Sequence, residues 1–181
     1  YVASGKDGFA AGVPYPLRGA FQFYTYIKDE DLDLKFIITD LNQNRDPDPV
    51  DIRLYYQGEI IDSRQLPDDG IAEDRGEIAP ARELAFTIPN LPGGVYMIEL
   101  RANDDIVTRS IESRQSKIAF ANKVRLLRDS KGDIPLYTDS RELQFATVHP
   151  DRLQTVALDG TELRIDETYR QFPFRFGQTA S

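Results

Sequence analysis

The residues best placed to do chemistry lie in the segment Asp40-Leu41-Asn42-Gln43-Asn44-Arg45-Asp46-Pro47-Asp48-Pro49-Val50-Asp51. Asp40, Asn42, Asn44, Asp46, Asp48 and Asp51 put oxygen-bearing side chains at positions 1, 3, 5, 7, 9 and 12 of a twelve-residue span. A hard cation such as Ca²⁺ takes six to eight oxygens from a loop able to curl, and this is the ligand spacing of an EF-hand loop. The match has gaps: Arg45 stands where the sharp turn wants glycine, Pro47 and Pro49 stiffen the loop, and the last ligand is Asp rather than Glu. The flanks also read as strands. A polar interstrand loop, in which Asp and Asn make turns and Pro blocks edge pairing, accounts for the same residues. Ca²⁺ is thus the one candidate cofactor, in a structural rather than catalytic role.

A second acidic group, Asp68, Asp69, Glu73, Asp74 and Glu77, and a third, Asn103-Asp104-Asp105, would share an ion if their loops met at one end of the fold; a solvated acidic face is the plainer account. His149 is the single histidine, so zinc triads have no basis, and no Gly-x-Ser-x-Gly elbow or phosphate-binding glycine loop occurs. With no such assembled chemistry, catalytic residues are assigned nowhere and a non-enzymatic role is expected. A two-carboxylate hydrolase is the weakest of the alternatives, since abundant Asp and Glu do not make a site.

Tyr24, Tyr26 and Tyr55 form another candidate group. They sit on the outward phase of their strands, where flat rings can stack on sugars while their hydroxyls bond polar groups, or can be covered by other parts of the chain or by another subunit.

These side chains need strands to position them. Leu32, Leu34, Phe36 and Ile38 alternate with Asp33, Lys35, Ile37 and Thr39, the period-2 pattern of a half-buried strand. Residues 19–27, 50–56, 59–66, 84–88, 94–102 and 106–111 behave alike, with turn chemistry at 28–31, 57–58, 67–70 and 89–93. Asn103-Asp104-Asp105 predicts a hairpin between the last two. Residues 71–81 are expected to be a surface loop, and 1–18 an extended arm. Later short extended runs include Val156 to Leu163, where Asp159-Gly160 suits a two-residue hairpin.

The expected fold is therefore all-β: a β-sandwich of immunoglobulin-like pattern over residues 19–115, then a second small β domain or additional sandwich strands over 116–181. Leu66-Pro67-Asp68-Asp69-Gly70, followed by Pro92-Gly93-Gly94-Val95-Tyr96, resembles immunoglobulin-like and fibronectin-III-like modules of bacterial and archaeal surface proteins, over about residues 18–111. The resemblance implies a corner-bracing hydrogen bond from Tyr96 to backbone. The cysteine pair and tryptophan of antibody domains are missing, so kinship with those is not implied.

Composition narrows the partners. With 181 residues, 10 Phe and 9 Tyr, the chain can bury an aromatic core without staples; it has no cysteine, so disulfides and thiolate chemistry are excluded. A net charge of −8 argues against nucleic acid. No apolar run approaches the roughly 20 residues of a membrane span, so membrane insertion is not expected. No basic-then-apolar leader precedes Tyr1, as expected of a mature or excised segment. The composition fits an extracellular or cell-surface setting. The expected function is a non-catalytic structural or adhesive module in cell-surface or fibre assembly, whose partners are other protein subunits or modules, its own copies included. The alternative is a carbohydrate-binding module of a polysaccharide-degrading enzyme, with polysaccharide as partner.

Overall fold

The computed structural model describes residues 11–43, 46–71, 79–127, 138–148, 153–158 and 160–176, and throughout them the chain is all-β. No helix among them is long and apolar enough to cross a membrane. The chain divides into two compact units, Tyr1–Pro135 and Leu136–Ser181.

In the first unit, one antiparallel sheet holds β1 (Ala11–Val13), β2 (Leu17–Arg18), β4 (Leu32–Asp40), β7 (Arg82–Ile88) and β9 (Ile106–Ser113). Its order is β1-β9-β4-β7, with β2 also paired to β9. The other sheet holds β3 (Phe21–Ile27), β5 (Val50–Tyr56), β6 (Glu59–Leu66), β8 (Gly94–Arg101) and β10 (Ile118–Ala121), in the order β10-β3-β8-β5-β6. The inward phase of each strand is apolar, so the two sheets share one core in a sandwich-like arrangement: Phe23, Leu54 and Ile98 from one sheet pack with Leu34, Phe36, Phe86 and Ile111 from the other. The Phe23 and Phe36 rings meet with centroids 6.4 Å apart. Burying each such ring contributes roughly 1.5–3 kcal/mol.

Local chemistry sets the ends. Gln57 and Gly58 both take positive φ, 52° and 88°, the type I′ geometry that closes a two-residue hairpin between β5 and β6. Edge strand β6 carries Asp62 and Arg64 on its inward phase, where charge discourages another strand from adding. Arg64 lies over the Phe86 ring, its guanidinium carbon 5.4 Å from the centroid.

Two sequence expectations change. The hairpin expected at residues 103–105 is a crossover: β8 lies between β3 and β5 in one sheet, while β9 pairs with β4 in the other. Residues 11–18, expected as part of a free arm, supply β1 and β2, which bond to β9 with Val13 and Leu17 buried. Residues 1–10 of that arm lie outside the described residues. Beyond residue 115, Ile118 of β10 faces Thr25 of β3 and is buried in the sandwich core, an additional sandwich strand of the kind left open for 116–181.

The second unit pairs β11 (Glu142–Phe145) with β14 (Phe172–Arg175) and β12 (Gln154–Leu158) with β13 (Thr161–Ile165). Its buried apolar side chains among the described residues are Ile165 and Phe174, the latter edge-on to Phe176 at 5.0 Å. His149 lies outside the described residues.

Candidate functional site

The acidic site grows from the end of β4. Alternation stops there: Ile38, Thr39 and Asp40 are all buried, because backbone closes over the strand end from two sides. Ala79 N–H donates to the Asp40 carbonyl at 3.0 Å, and Leu41 N–H donates to the Asp105 carbonyl at 3.0 Å. Asn42 then takes φ +49° and its N–H donates to Asp40 Oδ1 at 2.9 Å, a turn closed by the aspartate's own carboxylate.

Loop 67–70 approaches from the other side. Asp48 N–H donates to Asp68 Oδ1 at 2.8 Å and Gly70 N–H to Asp68 Oδ2 at 2.9 Å. Asp69 accepts from Ile71 N–H at 2.8 Å and from the Asn42 amide at 3.2 Å. One carboxylate oxygen each of Asp40, Asp68 and Asp69 lie within 4.8 Å of one another. The crossover between β8 and β9 brings Asp105, 1% exposed, with Arg18 Nη2 at 3.8 Å from its Oδ1. Arg18 also donates to the Asp104 carbonyl and to Gln43, tying β2 to both loops.

The electrostatics follow from burying like charges together. Burial, and then Asp69, Asp68 and Asp105, push the Asp40 carboxyl above its ordinary value, although the Asn42 N–H opposes this. Asp48 is pushed up to about 6, first by burial and then by Asp40, Asp105, Asp68 and Asp46. Asp68 goes the other way, held down chiefly by the Asp48 N–H, with help from Gly70 N–H and Arg82. Asp40 Oδ2 and Asp48 Oδ1 are buried and have no hydrogen-bond partner.

Of the six spaced residues, the structure gathers Asp40, Asn42 and Asp48. Asn44 lies outside the described residues. Asp46 is exposed and reaches Asp48 only through its field. Asp51 is not at the site: β5 has begun at Val50, so alternation sends its carboxylate to the outer face, where it bonds Arg53 at 2.6–2.7 Å. Asp68 and Asp69 join Asp40 instead, with Asp105 nearby against Arg18, and a twelve-residue window can contain none of the three. The signal for them was the acidic composition of the two other loops, whose meeting the crossover brings about. Glu73, Asp74 and Glu77 lie outside the described residues.

Tyr24, Tyr26 and Tyr55 occupy the outer face of the second sheet. Tyr24 and Tyr26 are 41% and 48% exposed, and Tyr55 is half-buried. Register places Ala119, Tyr24, Met97, Tyr55 and Ile60 side by side across all five strands, with Tyr26 and exposed Val95 in an adjoining pair. Beside this apolar row runs a polar one. Tyr55 donates its hydroxyl to Glu99 at 2.8 Å, Gln22 donates to Glu99 at 2.9 Å, and Asn122 donates to Gln22 at 3.2 Å. The polar row borders an open groove also lined by Asp51, Arg101 and Lys123.

Tyr96 lies on the inward side of the same sheet. Its hydroxyl donates to the Pro92 carbonyl at 2.6 Å and its ring stacks on Tyr56 at 4.6 Å. Comparison with protein-family models finds no match for this chain, and comparison with curated proteins finds none either.

Proposed function

We propose that this chain is a non-catalytic structural and adhesive module, of the immunoglobulin-like or fibronectin-III-like kind, acting at a cell surface or in a fibre outside the cell. Its contact surface is the outer face of the second sheet, and its partner is another protein subunit, a second copy of the chain included. The observation that carries this reading is the apolar row Ala119, Tyr24, Met97, Tyr55 and Ile60, which crosses five strands on the solvent side. Alternation would place polar residues there if the face met only water. Rigid aromatic rings on a flat sheet give contact area at low entropic cost.

Sedimentation of the full chain over a wide concentration range tests it. Concentration-dependent association that is lost in Tyr24→Ser/Val95→Ser, with melting temperature within a few degrees of the parent, is the expected result. A strict monomer that binds neither surface polymer nor protein partner would remove it.

The hydrogen-bonded row Tyr55-Glu99-Gln22-Asn122 favours a second reading, a carbohydrate-binding module. Aligned carboxylate and amide groups beside Tyr24, Tyr26 and Tyr55 match the alternating hydroxyl edge and apolar face of a sugar ring. Sedimentation with insoluble polysaccharides distinguishes the two: binding that disappears when all three tyrosines become Ala supports it, and binding unaffected by the triple change rejects it.

A further inference from the structure

We propose that the loop end of the sandwich is a Ca²⁺ site built from Asp40, Asp68 and Asp69 with the buried carboxylate of Asp48 beside them, where the ion clamps the end of β4 to loop 67–71. The site owes nothing to the adhesive face and stands or falls without it.

The first argument is an unmet requirement. Asp40 and Asp48 are 0% and 2% exposed, and Asp40 Oδ2 and Asp48 Oδ1 are buried with no hydrogen-bond partner. A buried carboxylate is ordinarily paired with a cation or bound to a metal, because leaving it unpaired forfeits its hydration with nothing in return. The neighbouring charges make matters worse: Asp68, Asp69 and Asp105 all act on Asp40 with the same sign. Of the nearby cations, Arg18 reaches Asp105, Asp104 and Gln43, while Arg82 donates to the Pro67 carbonyl at 2.6 Å and acts on Asp68, its Nε and Nη2 buried without partners; neither meets Asp40 Oδ2 or Asp48 Oδ1.

The second argument is geometric. Calcium–oxygen distances of about 2.3–2.6 Å put any two ligands of one ion no more than about 5 Å apart. One oxygen each of Asp40, Asp68 and Asp69 meets that limit, all lying within 4.8 Å of one another. The carboxylates are held in place by backbone and amide donors: Asn42 N–H on Asp40, Asp48 and Gly70 N–H on Asp68, and Ile71 N–H with the Asn42 amide on Asp69. Such outer bonds orient first ligands without using up their second lone pairs.

The chemistry of the donors selects the ion. All are oxygens, which disfavours zinc and copper. They come from a strand end and an irregular loop, a set free to adapt its geometry, which suits Ca²⁺ better than the strict octahedron of Mg²⁺. The proposed set differs from the EF-hand spacing, since Asp68 and Asp69 take the places of Asp46 and Asp51.

The test uses the full chain stripped with chelator, then titrated with Ca²⁺ by calorimetry and thermal melting. One ion per chain is expected, with a melting-temperature rise of roughly 5–10 °C at about a hundredfold excess over the dissociation constant. Asp48→Asn keeps the shape but removes a charge. It should weaken Ca²⁺ binding about 10-fold or more, yet melt in chelator no lower than the parent, which shows that it folds. Glu30→Gln, at the far end of β4, should bind as the parent does. Absence of heat and of any melting shift up to about 10 mM Ca²⁺, well above the range of extracellular calcium modules, overturns the proposal. So does an undiminished response in Asp48→Asn, and an equal response to Mg²⁺ overturns the choice of ion.

Discussion

Single side chains show how closely polar and apolar demands are balanced. Tyr96 is fully buried, yet its hydroxyl reaches the Pro92 carbonyl at 2.6 Å, so the ring closes the core and the oxygen braces the turn into β8. Tyr96→Phe leaves that carbonyl to seek water at a half-covered site, and urea denaturation should show a loss of about 1 kcal/mol. Asp48 gives a pH effect of opposite character. Its folded carboxyl titrates near 6 against 3.8 ordinarily, so the folded state holds this proton more tightly than the unfolded chain. Its contribution to stability is therefore full below about pH 4 and is lost as pH rises through 6. In chelator, the parent should lose on the order of 2 kcal/mol relative to Asp48→Asn between pH 4 and 7, measured as the difference between their denaturation curves. Asp68, held below its ordinary value, works in reverse: its contribution is present above about pH 4 and fades on further acidification.

At the scale of elements, strands were legible in the chain, and so were the partners joined by two-residue turns, β5 with β6 and β12 with β13, while the more distant pairings were not. The alternation Leu32, Leu34, Phe36, Ile38 marks β4, and the observed strand is Leu32–Asp40. Period 2 assigns faces because burial acts on each residue locally; pairing depends on which layer offers a matching apolar surface, and no window of residues contains that. Asn103-Asp104-Asp105 looked like a hairpin for this reason and proved to be the step between layers. The acidic site was legible to the same degree: Asp40, Asn42 and Asp48 are neighbours in sequence, whereas Asp68, Asp69 and Asp105 arrive through topology. Phe36 sits where the two layers meet, against Phe23. Phe36→Ala should cost about 3–5 kcal/mol by chemical denaturation, while Ile60→Thr on the exposed edge strand should stay within about 0.5 kcal/mol.

For the molecule as a whole, the two units differ in what holds them. The first encloses a broad apolar core between two sheets, while the described part of the second buries Ile165 and Phe174 and is otherwise mostly surface. Small cores leave little margin over chain entropy. Hydrogen exchange on the full chain should therefore find amides of β11–β14 exchanging well before those of β3, β4 and β8. Equal protection in both would contradict this difference.

Arg18, the last residue of β2, grips the Asp104 carbonyl and Gln43, so tension applied at the N-terminal side travels directly into the corner that gathers the aspartates. A fastening there would act as a mechanical lock. In an optical trap, pulling from that side should need more force to peel the first strands away with Ca²⁺ than with chelator, and Arg18→Ala should erase most of the gap.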